Sequence, residues 1–234
     1  YKRQGMYVMM NEIENVSSNF TNDSASASVH WAAEQTYNFY DSIFNRNSYD
    51  DLGSQLNSFA HYDTNLNNAF WAGYGDSLAC MAFGDGDGIY MGPLVDIEII
   101  GHEFSHGVTQ HTSALDYSGE SGALNESFSD IMGTAIKFFA LGSSATWNVG
   151  DNTILIPPYK MRSMSNPNSG LFPQPDTYLG TYWKDPYDVS FDHGGVHYNS
   201  GIQNFWFYLL TVGGSGTNDN MNNYAVAGIG MADA

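Results

Sequence analysis

One pentapeptide in this chain concentrates residues able to do chemistry: His102-Glu103-Phe104-Ser105-His106. Residues four apart on a helix share a face, so both imidazoles can reach one ion. The glutamate beside the first histidine projects next to that ion, where a carboxylate can take a proton from metal-bound water. Two histidines do not complete a catalytic zinc site, which keeps three protein ligands and one open position. An extended H-E-x-x-H-x-x-G-x-x-H pattern would place glycine and histidine where Thr109 and Thr112 stand, with His111 one position out of register, so that class is excluded. A carboxylate from the next helix is the alternative. Glu126 and Asp130 lie four apart in an otherwise apolar helical run, and acids embedded in such a run need partners. Glu126 as third ligand, with Asp130 orienting a histidine from behind, uses both residues.

Helices must carry these groups, and the apolar spacing supplies them. Val95, Ile99, Ile100, Phe104 and Val108 predict a helix over 93–110. Ala123, Phe128, Ile131, Met132, Ala135 and Phe138 predict a second over 121–141, and an aromatic-rich run predicts a third over 199–212. Upstream, residues 1–16, carrying Tyr7-Val8-Met9-Met10, read as a strand, 16–28 as a polar loop, and 29–44 as a helix. Residues 59–91 mix short apolar runs with turns, of which Gly84-Asp85-Gly86-Asp87-Gly88 is the strongest. Six of the seven prolines fall in 142–198, which reads as irregular connections. The expected organisation is a mixed first part to about residue 110 and a mainly helical second part.

At 234 residues and 42% hydrophobic, the chain can bury a sizeable core. Seven Lys and Arg stand against 25 Asp and Glu, a formal net charge of −18. That balance gives no electrostatic support for nucleic-acid binding. A single cysteine, Cys80, excludes an intrachain disulfide framework and any cysteine-rich zinc module. No run of 18 apolar residues spans a membrane. His30 and His61 read as structural histidines, and His111 as a helix-end residue.

Taken with further segments, the chain resembles the thermolysin-like zinc metallopeptidases. The segments are Asn67-Asn68-Ala69-Phe70-Trp71, the Gly84–Gly88 turn, Ser121-Gly122-Ala123-Leu124-Asn125-Glu126 running on to Asp130, Arg162-Ser163-Met164-Ser165, and Gly194-Gly195-Val196-His197-Tyr198-Asn199-Ser200-Gly201. The resemblance implies an α+β, two-lobed fold: a mixed β/α N-terminal lobe over 1–110, a mainly helical lobe over 111–234, and the zinc-binding helix between them. It implies one catalytic Zn²⁺ on His102, His106 and Glu126, with Asp130 behind. Glu103 is expected to be the general base, Tyr117 and His197 the oxyanion donors, and Asp192 the carboxylate orienting His197. Substrate main chain is expected at Asn68, Arg162 and the backbone of Ala69 and Trp71. Met91, Leu94, Ile99, Val149 and Met161 are expected to form an apolar pocket beyond the scissile bond, favouring cleavage before a bulky hydrophobic residue.

The resemblance further implies a secreted, monomeric endopeptidase acting on proteins or peptides, made with an N-terminal propeptide, with neither nucleic acid nor membrane as partner. It also implies more β structure before Tyr1 and more helices after Ala234, so the second lobe is expected to be incomplete. One departure stands out. The family's double calcium site maps onto Glu98, Lys137, Thr146, Asn148 and Asp151, of which only Glu98 and Asp151 are acidic. A hard dication needs several oxygen ligands, so the two-ion site is expected to be lost, with Lys137 pairing with Glu98 or Asp151 in its place and a single calcium left open.

Overall fold

The computed structural model describes residues 23–73 and 79–234. Helix α1 spans Ser24–Phe44. Its start lies inside the expected loop, because Asp23 caps it: the carboxylate accepts from the amides of Ala25 and Ser26 at 3.1 Å each. The small residues that suggest a loop instead bury Ala25 and Ser26 on the helix's inner face. The strand expected within 1–16 lies outside the described residues.

Three short strands follow: β1 (Asn57–Phe59), β2 (Ala69–Ala72) and β3 (Cys80–Phe83). β3 is central, parallel to β1 and antiparallel to β2, so among the described residues β2 is an edge strand. The free main-chain groups of such an edge can pair with an added extended segment.

Helix α2 spans Ile97–Gln110, starting after the Pro93 expected to open it. Asp96 stands at its N-cap position, but its carboxylate accepts from the amides of Asn152 and Thr153 instead. Ile100 and Phe104 are fully buried between α1, the sheet and α3 (Gly119–Leu141). Burying each such side chain contributes about 1.5–3 kcal/mol. The α2–α3 crossing is unusually close: a Cβ on Gly133 would meet the Glu98 carbonyl oxygen at 2.3 Å. This approach sets His102 against Glu126 and Asp130.

The 142–198 region is largely irregular, with a two-residue pairing of β4 (Asn148–Val149) and β5 (Arg162–Ser163). It ends in α4 (Asp192–Asn199), whose opening residues Asp192, His193, Gly194 and Gly195 all have positive φ. Helix α5 (Gly201–Val212) completes a second small core through Phe207, Ile131 and Met164. A hairpin of β6 (Gly214–Thr217) and β7 (Asn223–Val226) follows, adding strand to the second part. Among the described residues no helix is long and apolar enough to cross a membrane.

Candidate active site

His102 and His106 project from one face of α2, and their Nε2 atoms lie 3.0 Å apart. Each ring is fixed by its other nitrogen: His102 Nδ1 is 2.9 Å from Asp130 Oδ1, and His106 Nδ1 is 2.8 Å from Asn125 Oδ1. The Asn125 amide is oriented by donating to the Leu115 carbonyl at 3.1 Å, which leaves its oxygen to accept from His106. Both Nδ1 atoms therefore carry the hydrogens, and two bare Nε2 lone pairs face each other. A cation has to sit between them.

Glu126, 1% exposed, closes the triangle, with Oε2 at 3.3 Å from His102 Nε2 and Oε1 at 3.3 Å from His106 Nε2. Ligands about 2.0–2.2 Å from a tetrahedral zinc lie roughly 3.3–3.5 Å from one another, so these separations match. Glu126 Oε2 is also buried without a hydrogen-bond partner, the condition of an atom that expects an ion. The residues present fit zinc. In the protein without metal a proton takes the cation's place. Burial opposes charging of His102, but Glu126 and Asp130 outweigh it and raise its pKa to about 10. Glu126 itself is held well below the usual carboxylate range, because His197 and His102 overcome its burial.

Asp130 is buried and accepts from three sides. Besides His102, Arg162 donates to Oδ1 at 2.7 Å and Asn204 of α5 donates to Oδ2 at 2.8 Å. Burial would raise the Asp130 carboxyl, but Arg162 and His102 hold it down at about 2. Asn204 is fully buried, and Ser127 fixes its amide by donating to Oδ1 at 2.8 Å. Sequence reasoning assigned no role to Asn125 or Asn204. A signal existed for the second, since an asparagine directly before the apolar run Phe205-Trp206-Phe207 on a buried helix needs a partner. Arg162, expected at substrate main chain, lines the cleft but commits one nitrogen to Asp130.

Tyr117 and His197 converge on the same corner. The Tyr117 hydroxyl donates to Glu126 Oε1 and lies 3.1 Å from His197 Nε2. Burial and the Glu126 carboxylate raise its pKa. Asp192 grips His197 twice, accepting from its amide at 2.9 Å and lying 2.6 Å from its Nδ1. The left-handed backbone at Asp192 and His193 turns the carboxylate back onto a ring five residues ahead. Partial burial opposes charge on this ring, which is 44% exposed, and Glu126 and Asp192 outweigh it to raise its pKa. His193 lies at the rim, its ring centroid 5.6 Å from that of Tyr117.

Two cavities meet at these residues. One, of about 530 Å³, is lined by Trp71, His106, Tyr117 and Glu126 among others. The second, of about 390 Å³, gathers Met91, Leu94, Ile99, Val149 and Met161 with Arg162 and Asp192. Asn68, Ala69, His102, Glu103 and His197 line both. The β2 edge thus runs along the cleft with Glu103 at the junction. Trp71 is anchored by donating from Nε1 to Gln110 Oε1 at 2.9 Å.

The other residues singled out from sequence sit apart from this cleft. His61 bridges Asp23 and Asp85 at 3.0 and 2.5 Å, and His111 ends α2 with its ring against Tyr49. Cys80 is half-buried in β3. Behind the zinc helix, Lys137 Nζ is 3.1 Å from Glu98 Oε1, 2.8 Å from Asp151 Oδ1, 3.2 Å from Thr146 Oγ1 and 3.0 Å from the Asn148 carbonyl. The ammonium therefore sits among both acids the departure pointed to.

This architecture has known counterparts. The chain is 43% identical over 198 residues to bacillolysin of Bacillus cereus, covering 82% of this chain and 32% of that protein. It is 40% identical over 195 residues to the neutral protease NprE of Bacillus pumilus, covering 82% and 60%, and to thermolysin of Alicyclobacillus acidocaldarius, covering 82% and 33%. The chain thus spans less than two thirds of the length of these relatives. Among solved structures, the precursor of protealysin, a metalloproteinase from Serratia proteamaculans, superposes with a TM-score of 0.73 at 35% identity, covering 86% of this chain and 62% of that one. The thermolysin metallopeptidase catalytic-domain model matches residues 2–110 and the alpha-helical-domain model matches 113–234, and on that coverage the chain belongs to the thermolysin metallopeptidase family, with its two-lobed α+β fold.

Proposed function

We propose that this protein is a zinc-dependent endopeptidase that cleaves before a bulky hydrophobic residue. The observation carrying this reading is the pair of facing Nε2 atoms closed by Glu126, with Glu103 buried beside them at the junction of two cavities. His102, His106 and Glu126 would hold one zinc ion, which supplies Lewis acidity to polarise a carbonyl and acidify water. Asp130 and Asn125 hold the ligand rings in register.

The chain's own groups do the rest. Substrate main chain lies along the β2 edge, guided by Asn68, Ala69 and Trp71, with Arg162 on the opposite side. The next side chain drops into the pocket of Met91, Leu94, Ile99, Val149 and Met161. Glu103 takes a proton from the attacking water and passes it to the leaving amine. Negative charge then develops on the carbonyl oxygen, and the Tyr117 hydroxyl and the His197 imidazolium are poised to donate to it. Asp192 keeps His197 in position and favours its protonated form.

On this reading the lobes divide near residue 110 and the protein is a monomer. It is made with an N-terminal propeptide, as the precursor form of its solved relative supports, and acts outside the cell. The Lys137 ammonium takes the place of a calcium ion beside Glu98 and Asp151. The mechanism is tested by Glu103→Ala: one zinc per chain should be retained while peptide turnover falls by roughly 10²–10⁴-fold. Full turnover in the zinc-loaded variant would refute the role of Glu103.

A further inference from the structure

His197 lies in a short stretch of α4 between two interruptions. The backbone is left-handed from Asp192 to Gly195 before it, and Ser200 after it belongs to neither α4 nor α5. The last carbonyls of a helix have no ladder partner of their own and must find one elsewhere. The His197 carbonyl finds it in Gln174, whose Nε2 donates at 2.7 Å. The same nitrogen donates to Ser200 Oγ at 3.0 Å, and that hydroxyl donates to the His197 carbonyl at 3.3 Å. Asp192 holds the amide and the ring of this histidine. His197 is therefore fixed at both ends of its main chain, and Gln174 supplies the second anchor.

Gln174 is 0% exposed, although it stands in the irregular 142–198 region. Its own main chain is tied down, the amide donating to the Pro167 carbonyl at 3.0 Å. Gly201 makes room for the side chain, since a Cβ there would meet Gln174 Cβ at 2.4 Å. Gln174 Oε1 is buried without a hydrogen-bond partner. A buried acceptor left unpaired opposes folding, and an apolar side chain in this place would avoid that cost. The two donated bonds are then what the glutamine contributes. They also fix the amide's orientation, because a flipped amide would set Oε1 against the His197 carbonyl oxygen.

We infer that Gln174 is a positioning residue for the reaction: it holds the His197 main chain so that the imidazole reaches the oxyanion formed at the scissile carbonyl. The inference rests on the endopeptidase reading and adds to it a residue that lines neither cavity. Stabilising that charge depends on placement, and a shift of about 1 Å can cost up to roughly 100-fold in rate.

The test is steady-state kinetics of Gln174→Met and Gln174→Glu on zinc-loaded protein, each alone and combined with His197→Ala. Both substitutions keep the side chain's length and remove the amide donor. Each should lower kcat by roughly 10–100-fold, with KM and zinc content within about twofold of the wild type. In the His197→Ala background each should change kcat by less than about twofold, because the group it positions is gone. A merely structural role would lower kcat by the same factor in both backgrounds. Binding of a phosphonate peptide reads the same contact without turnover, since its tetrahedral oxygens mimic the oxyanion. Its affinity should fall by about 10-fold in each Gln174 variant and stay unchanged by them once His197 is alanine. Unchanged kcat, equal losses with and without His197, or failure of both variants to fold would overturn the inference. A wild type that binds the phosphonate but cleaves nothing would count against the endopeptidase reading alone. Unchanged phosphonate affinity in the Gln174 variants would then still overturn the role of Gln174.

Discussion

Replacing Lys137 with methionine removes the ammonium that pairs with Glu98 and Asp151 while keeping most of the side chain's length. Glu98 is 1% exposed, and its Oε1 accepts from both Lys137 Nζ and the Gly150 amide. Burial raises its pKa to about 7 even with the lysine lowering it. Asp96 and Asp151 place carboxylate oxygens within 4.8 Å of it. Leaving a buried charge without its partner costs about 3–5 kcal/mol. At roughly 2–4 °C per kcal/mol for a chain of this size, the melting temperature at neutral pH should fall by about 6–20 °C. Glu98 has a raised folded pKa, so its carboxyl favours the folded state below about pH 4.5 and that contribution is lost as pH rises through about 7. Without the lysine the folded pKa rises further, so the deficit should shrink at about pH 5, where Glu98 is protonated. Millimolar calcium should restore part of the variant's stability, because the freed oxygens suit a hard cation, and should leave the wild type nearly unchanged. Thermal unfolding of zinc-loaded protein, followed by circular dichroism with and without calcium, measures all of this. A variant that melts with the wild type, or a wild type that gains as much from calcium, would refute the reasoning.

Asn204→Leu should weaken zinc binding by about 10–100-fold in chelator competition, because it removes the donor that completes the Asp130 shell; unchanged affinity in a folded variant would show Asn204 to be structural only. Tyr117→Phe should lower kcat by roughly 10²–10³-fold with little change in KM, a split that loss of ground-state binding would not give. Zinc loading at neutral pH should release about one proton, since His102 in the metal-free site stays protonated up to about pH 10. The raised His102 pKa stabilises the metal-free fold fully below about pH 6.5, and that contribution is lost as pH rises through about 10. Calorimetry in buffers of different ionisation enthalpy reads the released proton, and buffer-independent heats would contradict it.

Much of the cleft was legible because helical periodicity is a local property. His102, His106, Glu126 and Asp130 each sit four residues from a partner on the same face, so spacing alone could pair them. What spacing could not supply is how the helices cross. The Gly133 contact that presses α3 onto α2, and the reach of Asn204 from α5 to Asp130, are long-range facts. The fork by which Asp192 holds His197 depends on left-handed backbone that only the Gly194-Gly195 pair hinted at. Ser24–Ser28 read as loop because small polar residues carry little periodicity, and the Asp23 cap decided the matter. Lys137 was legible only against a family pattern, since a lysine on a helix normally reaches water.

The most direct test of the central claim is a mass-spectrometric digest map. A mixed peptide library is incubated with the protein at neutral pH, with and without a zinc chelator. Internal cuts before leucine, phenylalanine, isoleucine or valine should appear, vanish with chelator and return when zinc is restored. Cuts confined to peptide termini, or cleavage indifferent to chelation, would contradict it.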